Sequence, residues 1–397
     1  GADFQYLAAN VIVDATGETL LPASEIRRFG GARLGFIGLT LEGTPAVTVA
    51  SGVEGLTFRD EIETINAEAA RLKARGIETI VVLLHEGGLP TGVYNECPGI
   101  SGPIVDIVNG LDPAVDVVIS GHTHQAYVCE INGKIVTSGA HAGRVVSDID
   151  LVIDEITGDV VSKTANNVIV TRDVAPDPEE TALIARYAAL AAPLANRIIG
   201  AVDGDLTRTA SPAGETTMGN VIADAQLVAT GGDGAQIAFM NPGGVRADLL
   251  AAQISGGEQP GEVTYGEAFS VQPFSNLLVT MDVTGAQLAT LLEQQWGART
   301  NLLSVSAGFR YAWSAAGAPG ARIDAASMTL HGAAIDPAGT YRITVNAFMA
   351  DGGDGFTVLR DGTNRVTGGV DVDALEAYLA ERSPLPVPAL DRVTVVP

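Results

Sequence analysis

The stretches IETIVVLLHEGG (residues 77–88) and VDVVISGHTH (115–124) decide the fold. Each is a short apolar run rich in β-branched residues that stops at glycine and histidine, which is how a buried strand ends in a turn. An amphipathic stretch from Arg59 to Arg75 precedes the first, and ARLGFIGLTL (32–41) supplies another strand before it. Strands alternating with helices predict an α/β layered domain with buried strands. From Ala126 the rhythm changes. AYVCEI, the turn Asn132-Gly133, KIVTSG and the runs 145–154 and 158–171 predict an antiparallel meander that closes this domain.

The second half repeats the α/β character. Pro176-Asp177-Pro178-Glu179-Glu180 opens an alanine- and leucine-rich helix over 176–197, read as the bridge between domains. Beyond it come IIGAVDGDL (198–206), a helix at 218–230, the strand QIAFM (236–240), a strand and helix around 277–297, and a helix at 371–382. The expected organisation is a first domain over 1–175, the linker helix 176–197 and a second domain over 198–397.

Composition narrows the function. A formal charge of -24 repels a phosphate backbone, so no nucleic-acid partner is expected. The longest apolar runs, such as 80–84 and 115–119, fall far short of the roughly 20 residues of a membrane helix, so no membrane span is expected. The two cysteines, Cys97 and Cys129, fit one disulfide in an oxidising compartment, and two buried thiols fit the same count. The disulfide is the expectation; it would place the protein outside the cell, at the cell wall or in the periplasm.

Three of the five histidines lie where predicted strands end: His85, His122 and His124. Ligands of an open α/β sheet collect beyond such strand ends. Residues i and i+2 of an extended segment face one side, which predicts that His122 and His124 look into one pocket. Imidazole suits zinc and manganese, and two cations about 3.5–4 Å apart are a recurring hydrolytic device. His141 is read as lining the pocket at most and His331 as surface.

With its upstream strand-end histidine, Gly121-His122-Thr123-His124 resembles the calcineurin-like metallophosphoesterases. Four later blocks resemble the C-terminal domain of 5'-nucleotidases and bacterial UDP-sugar hydrolases. They are Met218-Gly219-Asn220, Asn241-Pro242-Gly243-Gly244-Val245-Arg246, Gln272-Pro273-Phe274, and Asp351-Gly352-Gly353-Asp354-Gly355-Phe356. The resemblance implies a partial four-layer α/β/β/α metallophosphatase domain followed by an α/β nucleotide-binding domain. It implies that His85 and His122 bind one metal and His124 the other. It further implies that Phe274 and Phe348 sandwich the base, that Asp354 holds the ribose, and that Asn241, Arg246 and Asn276 add nucleotide contacts. The implied cofactors are two divalent ions, zinc or manganese, and the implied ligand is a nucleotide or nucleoside. A hinge between the domains is expected near residues 195–205.

The family pattern is incomplete here. Its Asp-x-His, its second, bridging aspartate and its Gly-Asn-His-Glu motif, which carries the general-acid or charge-stabilising histidine, are missing from this sequence. Three neutral imidazoles cannot neutralise two dications, so one weakly held metal at most and no turnover by these 397 residues alone are expected. Arg208 lies upstream of the place where the family often has a phosphate-contacting arginine, and it is open to a structural role. The expected activity of the intact enzyme is metal-dependent hydrolysis of nucleoside 5'-phosphates. The rival readings are a 2',3'-cyclic phosphodiesterase or UDP-sugar hydrolase, and a nucleotide-binding protein without catalysis.

Overall fold

The computed structural model describes residues 2–46, 48, 52–297 and 300–396. Their contacts form two compact units, one drawn from residues 1–45 and 51–175, the other from 46–50 and 176–397. The first unit runs β1 (Val11–Val13), β2 (Ser24–Phe29), β3 (Ala32–Leu39), β4 (Leu56–Phe58), α1 (Glu61–Ala74), β5 (Thr79–Leu84), α2 (Pro103–Gly110), β6 (Val117–Ser120), β7 (Ala126–Ile131), β8 (Lys134–Gly139), β9 (Val145–Ile153) and β10 (Val160–Ile169).

Six of these strands form one sheet in the order β2-β3-β5-β6-β8-β7. The four central strands are parallel, and β2 and β7 are antiparallel edges. Parallel strands covered on both faces read as continuous apolar runs, which is what TIVVLL and VVIS are. On one face Ile65 and Leu72 of α1 and Ile104 and Val108 of α2 pack on Ile80, Val82 and Val118. On the other, Ile149, Leu151 and Ala165 of the β9–β10 hairpin cover Val81, Val117 and Ile135. The result is a helix layer, a sheet and a second β layer.

The expected meander is split in two. Strand β8 is buried along nearly its whole length and pairs in parallel with β6, so the β7–β8 hairpin joins the main sheet. Its turn residues Asn132 and Gly133 both have positive φ, 48° and 71°, as a two-residue hairpin loop demands. Strands β9 and β10 pair with each other; β9 alternates in burial as a half-covered ladder does. Cys97 and Cys129 form a disulfide joining the loop after β5 to β7, and among the described residues no cysteine is free.

The second unit contains α3 (Pro178–Ala195), β11 (Ile198–Ala201), α4 (Thr217–Ala229), β12 (Ile237–Met240), β13 (Glu262–Thr264), α5 (Tyr265–Val271), β14 (Leu277–Thr284), α6 (Gly285–Glu293), β15 (Ser304–Val305), β16 (Phe309–Ser314), β17 (Ile323–Leu330), β18 (Ala333–Ala334), β19 (Thr340–Asn346), α7 (Ala347–Ala350), β20 (Thr363–Val370), α8 (Asp371–Glu381) and β21 (Val393–Val396). Helix α3 starts where Asp177 accepts the Glu179 and Glu180 amides, and none of its side chains is fully buried. A five-stranded sheet, β15-β12-β19-β14-β20, and a four-stranded sheet, β18-β17-β16-β21, share a core of Phe239, Met281, Ile343, Phe309, Tyr311 and Met328.

Strand direction places the functional edge of the five-stranded sheet. Strands β12 and β19 are parallel and end at Met240 and Asn346. Strand β14 runs antiparallel to β19, pairing Leu278 with Asn346, so it begins where they end. Asn241, Asn346 and Asn276 therefore gather at one edge of the sheet.

Candidate functional site

At the ends of β5 and β6 two loops are tied together. The Gly121 amide donates to the Glu86 carbonyl at 3.1 Å, and the Thr123 hydroxyl donates to the Gly88 carbonyl at 2.8 Å. Gly87 makes this closeness possible: a Cβ there would lie 2.2 Å from the Gly121 carbonyl oxygen. His85 and His122 are thereby neighbours, with ring centres 5.3 Å apart and planes at 71°. At metal–nitrogen bonds of about 2.0–2.1 Å and tetrahedral angles, two imidazoles on one cation have centres roughly 5 Å apart. The pair fits a shared divalent ion.

The alternation argument for His122 and His124 fails. Both residues have positive φ, 61° and 58°, and the Thr123 amide bonds back to the Gly121 carbonyl at 2.6 Å across His122. This is a tight γ-turn of the strained hand, so the segment is not extended. His122 meets His85, while His124 stacks with His141, centres 4.8 Å apart and planes at 27°. Among the described residues the three predicted histidines do not converge as one ligand set. Among the described residues the one set of three ligand groups close enough for an ion is Glu42, Asp60 and Glu61 at the start of α1. There Asp60 caps the helix and Glu61 accepts the Glu42 amide, which accounts for the clustering.

Beneath the histidines, the Tyr127 hydroxyl bonds Ser120 at 2.6 Å and accepts from the Gly88 amide at 3.1 Å. Burial pushes its pKa up, so it remains a neutral phenol bracing the loop.

In the second unit the predicted residues form one chain of contacts. The Asn346 side chain caps α7, fixing the turn that carries Phe348, and its amide donates to Asn241 Oδ1 at 2.9 Å. Asn241 donates to Asp354 Oδ2 at 2.7 Å. Asp354 itself has a positive φ of 54°. The preceding Gly353 lies against Phe348, since a Cβ there would sit 2.5 Å from the ring. A Cβ on Gly243 would come within 3.4 Å of Asp354 Oδ2. The Gly243 carbonyl accepts from Arg246 at 3.3 Å, and that guanidinium lies 5.6 Å over the Phe274 ring. Phe274 is 56% exposed, unusual for a large apolar ring. Arg208 is held at 3.1 Å by Asp248.

Sequence reading missed two residues here. Asn346 is the hub just described. Asp371, 2% exposed at the start of α8, accepts from the Asn276 side chain at 3.2 Å, and its amide donates to the Asn276 carbonyl at 2.8 Å. Burial raises its pKa to about 6. Asn276 is thus pinned, and with it the Phe274 loop, whose Ser275 has a φ of 53°. A polar residue at the end of a strand signals little in a sequence; strand pairing brings these partners together.

Residues 198–361 match the family described as 5'-nucleotidase, C-terminal domain. A solved 5'-nucleotidase precursor from Thermus thermophilus superposes over 100% of this chain and 79% of its own, with 28% identity and a TM-score of 0.78. Residues 198–361 thus match a 5'-nucleotidase C-terminal domain, and the chain as a whole is similar to a solved 5'-nucleotidase. Two further members of its kinship are longer. The endonuclease YhcR of Bacillus subtilis is 30% identical over 96% of this chain and 30% of its own length. The cell wall protein Lmo0130 of Listeria monocytogenes is 31% identical over 90% of this chain and 48% of its own length. The chain thus spans half or less of these relatives. Its α/β architecture is that of the solved 5'-nucleotidase precursor. No helix among its described residues is long and apolar enough to cross a membrane.

Proposed function

We propose that this protein hydrolyses nucleoside 5'-phosphates to nucleoside and phosphate with the help of divalent cations, outside the reducing cytosol. The observation that carries the reading is the His85–His122 pair, 5.3 Å apart on two adjacent parallel strand ends. We assign His85 and His122 to one ion, zinc or manganese, and His124 to a second. A bound cation would polarise a phosphoryl oxygen and acidify a water molecule. The rest falls to the chain's own side chains. Phe274 and Phe348 offer ring faces to the base, and stacking of about 1–3 kcal/mol per base tolerates base identity. Asp354, oriented by Asn241, accepts from the ribose hydroxyls. Arg246 and Asn276 complete the polar contacts.

The imidazoles lack a bridging carboxylate in any three-ligand set among the described residues. These 397 residues alone are therefore expected to bind nucleotide without turning it over. The test is phosphate release from AMP in zinc, manganese, cobalt or magnesium. It compares the 397-residue chain with the same chain extended by the family's Asp-x-His and Gly-Asn-His-Glu segments. Activity in the extended chain alone, lost in His122→Ala, is the expected result. Equal activity in the shorter chain defeats the incompleteness argument; binding without hydrolysis in both leaves a nucleotide-binding protein. Preference for cyclic or UDP-sugar substrates would move the assignment within the family.

A further inference from the structure

We propose that Asn346 is a positioning residue for ribose recognition, turning the Asn241 amide so that its NH2 end meets Asp354; this rests on reading Asp354 as the acceptor for the ribose hydroxyls. The ligand class that follows is a nucleoside or nucleotide with both ribose hydroxyls in place.

The first argument is how orientation passes from group to group. An amide side chain has an accepting end and a donating end, and a backbone N–H only donates. The Met349 amide donates to Asn346 Oδ1 at 2.9 Å, so that end of Asn346 is its oxygen. Its NH2 end therefore faces Asn241 and donates to Oδ1 at 2.9 Å. With its oxygen engaged, Asn241 turns its own NH2 end to Asp354 Oδ2, at 2.7 Å. A carboxylate takes donors and repels a carbonyl oxygen, so a reversed Asn241 would push Asp354 away. The backbone turn at Met349 thus sets which end of Asn241 the carboxylate meets.

Burial is the second. Asn346 is 1% exposed and Asn241 2%. Water does not reach these amides to replace a lost partner, and a buried donor or acceptor left unpaired is costly. Met240 Sδ also lies 3.6 Å from the Asn346 amide nitrogen, but a thioether is a weak acceptor beside an amide oxygen.

Topology is the third. Strands β12 and β19 are parallel with Ala238 opposite Thr344, so Asn241 and Asn346 emerge side by side at the sheet edge. Asn346 also starts α7, the turn that carries Phe348. One side chain thereby ties the orientation of the carboxylate to the placing of a ring proposed to stack on the base.

The experiment is isothermal titration of the 397-residue chain with adenosine and with 2',3'-dideoxyadenosine, which lacks both hydroxyls. The wild type is expected to prefer adenosine, and Asp354→Ala to erase the preference. Asn346→Asp still caps α7 but cannot donate, and its carboxylate draws the NH2 end of Asn241 away from Asp354. Adenosine affinity should fall roughly tenfold or more, and that of the dideoxy analogue less than about twofold. Asn346→Ser keeps a capping oxygen and withdraws the amide from Asn241; it should lower adenosine affinity alone by about threefold, and it carries the test if the aspartate variant does not fold. Unchanged adenosine affinity, or a loss shared equally by both ligands, overturns the positioning role while the proposed function stands. If the wild type shows no preference, or Asp354→Ala preserves it, the ribose reading falls and this proposal with it.

Discussion

The histidine edge of the first unit and the proposed nucleoside surface of the second are both built beyond strand ends, yet they are organised in opposite ways. The histidine edge is held from behind, through backbone bonds between loops, the Tyr127 brace and the Cys97–Cys129 disulfide. The nucleoside surface is held from within, because its recognition groups bond each other: Asn346 to Asn241, Asn241 to Asp354, Asn276 to Asp371. Both store strain. Of the nine non-glycine residues with positive φ among the described residues, four lie at the histidine edge and two, Ser275 and Asp354, at the nucleoside surface. The difference teaches that one edge takes its geometry from the backbone behind it, whereas the side chains of the other hold one another in place.

The largest test of this contrast removes the covalent brace. Replacing Cys97 and Cys129 by serine opens a loop of 32 residues' separation, worth about 4 kcal/mol in the chain-entropy account. Calorimetry should show the first unit melting earlier, with nucleoside affinity unchanged as the internal control. A nucleoside surface equally weakened would contradict its self-contained organisation.

Next in size is the pH response of Asp371. Its folded pKa of about 6 exceeds the ordinary carboxyl value because burial disfavours the charge. The unfolded chain loses this proton near pH 4, while the folded one keeps it to about pH 6. Between those limits the folded state binds more protons, so stability falls as pH rises, by about 2–3 kcal/mol in all. Asp371→Asn should flatten the melting temperature between pH 4 and 6; an unchanged slope assigns that dependence to other groups.

Asn241→Ala removes both the donor to Asp354 and the acceptor for Asn346. Bonds to charged groups of this kind contribute about 1.5–3 kcal/mol, so nucleoside Kd should rise roughly 10- to 150-fold by isothermal titration. A change under threefold would mean that Asp354 keeps its orientation without the amide. The smallest effect is expected for Phe274→Leu. Half-exposed and capped on one side by Arg246, the ring should contribute about 1 kcal/mol, or roughly fivefold in affinity, alike for purine and pyrimidine nucleosides. A strong base dependence would point to edge recognition over stacking.

Much of this was legible in the chain. Apolar runs ending in Gly and His marked β5 and β6, and Asn132-Gly133 marked a hairpin, because burial on both faces and left-handed turns each demand few residue types. The destination of that hairpin was not legible: KIVTSG is equally apolar in a meander or beside β6. The resemblance paired His122 with His85, but the stacking of His124 on His141 was hidden for a similar reason. Two residues' spacing implies one face only when the backbone is extended, and here both histidines sit in left-handed turns. Asp371 and Asn346 carried no local signal, since their partners lie 95 and 105 residues away.

By itself the sequence determined which residue types reach the strand ends: imidazoles in one half, amides, a carboxylate and aromatic rings in the other. Local pattern suffices for that, because strand and turn are set by near neighbours. The tertiary structure decided who meets whom, since parallel pairing of β5, β6 and β8 and antiparallel pairing of β14 with β19 join groups that chain distance leaves unrelated.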